Sequence, residues 1–88
     1  MDKPILFFAE SCPDTAPFVA ELERLNVDYE PVEVLSSLAN FKQFLRLRDK
    51  SAVFDNAKAN GYVGIPALLL NSGEVILDYK KLAEVFTP

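Results

Sequence analysis

The stretch Ile5 to Thr15, ILFFAESCPDT, constrains the fold more than any other part of the chain. Its first half, Ile5 to Ala9, is a continuous apolar run, the pattern of a strand covered on both faces. Such a strand needs one layer above it and another below. Pro4 suits the first strand position, where its missing N–H matters least. The second half turns through Glu10, Ser11, Cys12 and Pro13 into a helical pattern. A sulfur on that turn is held at a strand-to-helix junction, where the first free N–H groups and the helix dipole favour negative charge. The stretch reads as a place for thiolate chemistry.

Beyond Cys12, the apolar residues Phe18, Val19, Leu22 and Leu25 recur at helical spacing, which predicts an amphipathic helix from Thr15 to about Leu25, ended by Asn26. Two starts are open. With Pro13 in the first turn, Pro17 removes an internal hydrogen bond and kinks the helix. With Asp14 or Thr15 as the cap, Pro17 falls harmlessly in the first turn, and Cys12 lies just before the positive end. Asp28 to Val34, DYEPVEV, alternates like a strand, and Pro31 inside it assigns that strand to a sheet edge.

Ser36 or Ser37 then caps a second helix with Leu38, Phe41, Phe44 and Leu45 as its apolar stripe and Lys42, Arg46 and Lys50 as its solvated side. A short third helix, about Ala52 to Asn60, is closed by Gly61. Ile65 to Leu77 reads as two apolar strands joined by a short turn, a hairpin. Asp78 caps a last helix containing Leu82, Ala83 and Phe86. The order β-α-β-α-α-β-β-α predicts one domain spanning 1–88, a four-stranded mixed sheet with helices on both faces.

Composition narrows the chemistry. One cysteine cannot close an intramolecular disulfide, and with no histidine there is no common zinc site and no Cys-His nucleophilic pair. A net charge of −4 argues against nucleic acid as the main partner. No apolar run approaches membrane-spanning length, and the N-terminal one is too short for a signal peptide. A reducing cytoplasm is the expected compartment.

With Cys-Pro-x-x opening the first helix and Ile-Pro opening the third strand, this order resembles the glutaredoxins of the thioredoxin-like superfamily. RLRDKSAVFDNAKANGYVGIPALLL together with CPDT is similar to a bacterial group of glutaredoxin-related proteins in which a CPDC-type motif is common. The resemblance covers nearly the whole chain. It implies that Cys12 is the nucleophile that attacks disulfides, supported by Pro13, Asp14 and Thr15. It also implies a cis bond before Pro66, with Gly64, Ile65 and Pro66 forming the substrate-binding edge. Thr15 stands where dithiol members have a resolving cysteine, so turnover passes through a mixed disulfide opened by an external thiol. The implied partners are protein or small-molecule disulfides, with glutathione as co-substrate, no tightly bound cofactor, no metal, and the chain acting as a monomer.

Three positions depart from the glutaredoxin pattern. Glu10 replaces a basic residue before the cysteine, Gly64 replaces a threonine, and Leu77-Asp78 replaces paired glycines beyond the hairpin. The helix start stabilises an anion by about 0.3–1 kcal/mol, while the carboxylates of Glu10 and Asp14 oppose one. A hydroxyl donated by Thr15 to the sulfur tips that balance toward a modestly reactive thiol. The alternative reading is a thioredoxin-fold binding module that holds a thiol or peptide ligand with weak catalysis.

Overall fold

The computed structural model describes residues 3–86. Its elements are β1 (Ile5–Phe8), α1 (Thr15–Arg24), β2 (Glu30–Glu33), α2 (Leu38–Lys50), α3 (Asp55–Asn60), β3 (Ala67–Leu69), β4 (Val75–Ile76) and α4 (Leu82–Phe86). Short 3-10 turns at Ala52–Phe54 and Tyr79–Lys81 lead into α3 and α4.

The strands form one mixed sheet in the order β2-β1-β3-β4. β1 pairs in parallel with β2, so α1 is the crossover between them; β3 runs antiparallel to both β1 and β4. β2 lies at the edge, which is why Pro31 can stand opposite Leu6 without breaking a ladder. The strand is shorter than the alternating run from Asp28 to Val34 suggests.

Successive strand residues point to opposite faces, and each face has its own core. On one, Phe7, Ala9, Val32, Val34, Ala67 and Val75 pack against Phe44 of α2 and against Phe54. The Phe7 and Phe44 rings lie 5.7 Å apart, and the Phe44 and Phe54 rings meet edge to face at 5.8 Å. On the other face, Leu6, Leu68 and Ile76 meet Phe18 and Leu22 of α1 and Leu82 of α4. The apolar run of β1 is thus covered on both sides, as its pattern requires.

Asp14 precedes the first helical residue of α1, without a side-chain capping bond. Pro17 is therefore the third residue of the helix, where an N–H has no intrahelical acceptor and its loss removes no bond. At the other end Asn26 takes a left-handed φ of 59°. Val27 N–H then donates to Leu22 and Asn26 N–H to Glu23, both at 3.0 Å, closing the helix. Ser37 caps α2, accepting from the Asn40 N–H at 3.1 Å. The apolar stripe of α2 is displaced from the expected one. Leu38 has the right phase but is the first residue of the helix, where nothing covers it, and it is 67% exposed. Phe41, Phe44 and Leu47 make the contact with the core instead. Among the described residues no helix is long and apolar enough to cross a membrane.

Candidate functional site

Between β1 and α1 the chain turns on two backbone bonds, Cys12 N–H to Ala9 O at 3.0 Å and Thr15 N–H to Cys12 O at 3.1 Å. These hold Cys12 half-buried, ahead of the first turn of α1 and packed at the margin of the Phe7–Phe44 core. The second of the two helix starts is the one the chain adopts, so the sulfur lies before the positive end rather than within the first turn.

Facing the sulfur is the segment that opens β3. The Cys12 thiol makes a weak hydrogen bond to the Ile65 carbonyl at 3.8 Å, and the Ile65–Pro66 peptide bond is cis. Residues 53 apart in sequence thus meet because β1 and β3 are neighbours in the sheet. Cys12, Gly64 and Ile65 share an open cavity of about 510 Å³ walled by Leu35, Phe41, Tyr62 and Val63. A second depression of about 260 Å³ runs beside Ile65 and Pro66 between Asp14, Pro17, Asp78 and Tyr79. A third, of about 270 Å³, lies under Gly64 and Ile65 toward Val53 and Asn56. Asp14 and Ile65 border all three.

Comparison with known proteins gives the same architecture. No protein-family model matches the chain. An uncharacterised protein of Haemophilus influenzae is 70% identical over 86 residues, which cover 98% of this chain and the whole of that protein. The crystal structure of a glutaredoxin from Archaeoglobus fulgidus superimposes with a TM-score of 0.69 at 18% identity, over 100% of this chain and 89% of that one. The chain has the glutaredoxin-like thioredoxin fold and belongs to one family with the Haemophilus protein.

Within this glutaredoxin-like fold, Thr15 does not serve the sulfur. Its side chain is buried, and its hydroxyl donates to the Ala9 carbonyl at 2.8 Å. A hydroxyl has one proton to give. The expectation that Thr15 donates to Cys12 is therefore corrected: the carbonyl at the end of β1 outcompetes the weaker thiol acceptor. Pro13 is exposed and borders none of the three depressions, whereas Asp14 borders each of them.

Two side chains that the sequence did not single out shape the site. Arg48 of α2 donates from Nε to the Val63 carbonyl at 2.9 Å and from its terminal nitrogen to Tyr62 at 2.7 Å. It fastens the loop before the cis bond to α2. Its signal was present in the sequence, since an arginine that follows Phe41 and Phe44 in helical phase lies on the apolar stripe and not on the solvated face. The Glu33 carboxylate accepts from the Glu10 N–H at 3.0 Å and the Leu35 N–H at 2.6 Å, tying the turn before Cys12 to the loop after β2. An alternating strand pattern carries no sign of that bridge. Among the described residues no group of three or more histidine, cysteine, aspartate or glutamate side chains is arranged to hold a metal ion.

Proposed function

We propose that the chain is a monothiol thiol–disulfide oxidoreductase acting through Cys12. The observation that carries this reading is the approach of the Cys12 sulfur to the Ile65 carbonyl beside cis Pro66, at the mouth of an open cavity. A disulfide that enters this cavity meets the backbone of Gly64 and Ile65 beside the sulfur. There an extended chain can pair with exposed amide groups while its side chains enter the depressions.

In the first step the Cys12 thiolate attacks one sulfur of a substrate disulfide. The new bond forms to Cys12 Sγ, the substrate S–S bond breaks, and the departing thiolate takes a proton from water. Attack as the thiolate gives up the bond to Ile65, which needs the thiol proton. Thr15 has no sulfur, so the mixed disulfide is opened from outside. An external thiolate attacks the attached sulfur and leaves with it as a new disulfide, and Cys12 departs as thiolate. Glutathione can fill this second role from solution. A reducing compartment such as the cytoplasm suits a catalyst that cycles through a free thiol.

The test is turnover of a mixed-disulfide protein substrate by the wild-type chain and by Cys12→Ser, with glutathione as the external thiol. Equal rates remove the enzymatic reading. A specific observation favours a second one, a binding module of weak activity: the Thr15 proton is committed to Ala9, so the sulfur lacks that hydroxyl donor. Saturable peptide binding with turnover no faster than Cys12→Ser selects the module.

A further inference from the structure

The groove at Cys12 is unusual in its charge. Leu35, Tyr62 and Val63 stand 66%, 63% and 52% exposed along its wider end, an apolar surface left facing water. The narrower depression, which shares Asp14 and Ile65 with the wider one, is bordered by the carboxylates of Asp14 and Asp78. Among the described residues, no lysine or arginine lines any of the three depressions. Arg48 is close to the wider end, but its guanidinium is engaged by the Tyr62 and Val63 carbonyls. Lys81 borders a neighbouring groove along β4, which Asp78 also lines, but not the depression that Asp78 shares with Asp14.

Resting on the reading above, we propose that this groove takes an extended segment of a partner protein in which the reacting cysteine is flanked by an apolar residue on one side and a basic one on the other. The apolar side chain enters the cavity of Leu35 and Tyr62, and the basic one lies between Asp14 and Asp78. Charge complementarity selects this occupant. Glutathione carries two carboxylates against one ammonium, a net negative charge, to a groove whose ionised side chains are both acidic, so its recognition is opposed where the peptide's is assisted. A second copy of this chain is disfavoured by the same rule, because each copy carries a net charge of −4 and would present its own Asp14 and Asp78.

The experiment separates this inference from the catalytic reading by measuring binding without chemistry. The full-length wild-type chain is titrated, with amide NMR detection, against two extended peptides carrying S-methylcysteine between leucine and lysine in one and between leucine and glutamate in the other, and against S-methylglutathione. The lysine peptide is expected to shift the signals of Asp14, Ile65 and Tyr79 and to bind about tenfold tighter than the glutamate peptide, the sum of two exposed ion pairs. The preference should shrink with added salt over the range in which the Debye length falls below about 10 Å. It should also shrink in the double variant Asp14→Asn/Asp78→Asn, where the amide oxygen introduced at position 78 can still accept the Lys80 N–H that Asp78 now caps.

Equal or reversed affinities, shifts confined to another face, or tighter binding of S-methylglutathione overturn the inference, whatever Cys12 does. Concentration-dependent broadening at Leu35 and Tyr62 without peptide assigns the face to a second copy and overturns it equally. Conversely, an inactive chain that keeps the lysine preference leaves this inference standing and removes the catalytic one.

Discussion

The hydroxyl of Thr15 donates to the carbonyl of Ala9 at 2.8 Å, fastening the first residue of α1 to the end of β1. The position that holds a second sulfur in dithiol glutaredoxins is here a structural clasp on the turn that carries Cys12.

Thr15→Val removes the donor at nearly constant volume. Ala9 O keeps its bond from Cys12 N–H, so the carbonyl is not orphaned and the expected loss is about 1 kcal/mol in chemical denaturation. The alkylation rate of Cys12 by iodoacetamide should change by less than about twofold, because the proton removed never served the sulfur. A much larger fall assigns Thr15 to the thiol after all.

Gly64 borders the site with a φ of 94°, and a Cβ added there meets Cδ1 of Phe54 at 2.8 Å. Phe54 is fully buried and its ring is held edge to face by Phe44, so it cannot swing aside. Gly64→Ala is expected to cost about 2–5 kcal/mol, left-handed strain plus overpacking. Gly61→Ala is the control. Its φ of 73° is equally left-handed, but nothing lies near the added carbon, and its cost should stay near about 1–2 kcal/mol. The same contact leaves no room for a threonine side chain at position 64.

Arg48→Met frees the Tyr62 and Val63 carbonyls that the guanidinium now holds. Both bonds are near the surface, so the global loss should be about 1 kcal/mol. Hydrogen exchange at residues 62–64 should rise far more than that figure suggests, since the loop loses its tie to α2. Arg48→Lys, with one compact donor group in place of the fork, should fall between the two. Unchanged exchange in this loop contradicts the assignment.

Glu21 and Arg24 form a two-bond pair at 2.7 Å near the end of α1. Hydrogen bonding from the Arg24 guanidinium outweighs the opposing desolvation and, with a lesser contribution from its charge, holds the Glu21 carboxyl below its ordinary value. A carboxylate lowered in the folded state stabilises above its unfolded value and loses that contribution as pH falls through the folded one. Denaturation midpoints of wild type and Glu21→Gln should therefore differ slightly at neutral pH and converge in acid. A difference that widens on acidification has the wrong sign.

How much of this was legible in the chain varies with the range of the interaction. Ile5–Phe8, the amphipathic spacing of Phe18 and Leu22, the edge position announced by Pro31, a cap at Ser36 or Ser37 and the Gly61 stop are written locally. They depend on periodicity, missing donors and backbone freedom, which a short window contains. The order of elements then leaves few topologies, and the meeting of Cys12 with Ile65 and Pro66 was reached through resemblance to glutaredoxins, not through any local pattern.

Single hydrogen bonds belong to tertiary structure. Where the Thr15 proton goes was decided by the closeness of Ala9 O, and a threonine beside a cysteine in sequence says nothing about which acceptor is nearer. Leu38 has the phase of a core residue and is exposed because no element reaches the start of α2. Arg48 has the helical phase of Phe41 and Phe44, but its partners are fixed only when the loop before Pro66 folds back to offer it two carbonyls. The sequence by itself determined the layered sheet and the strand-to-helix junction that carries its one thiol, because burial patterns and helical periodicity are local. What surrounds that thiol was decided by the sheet, which brings segments distant in sequence close enough for one proton to choose its acceptor.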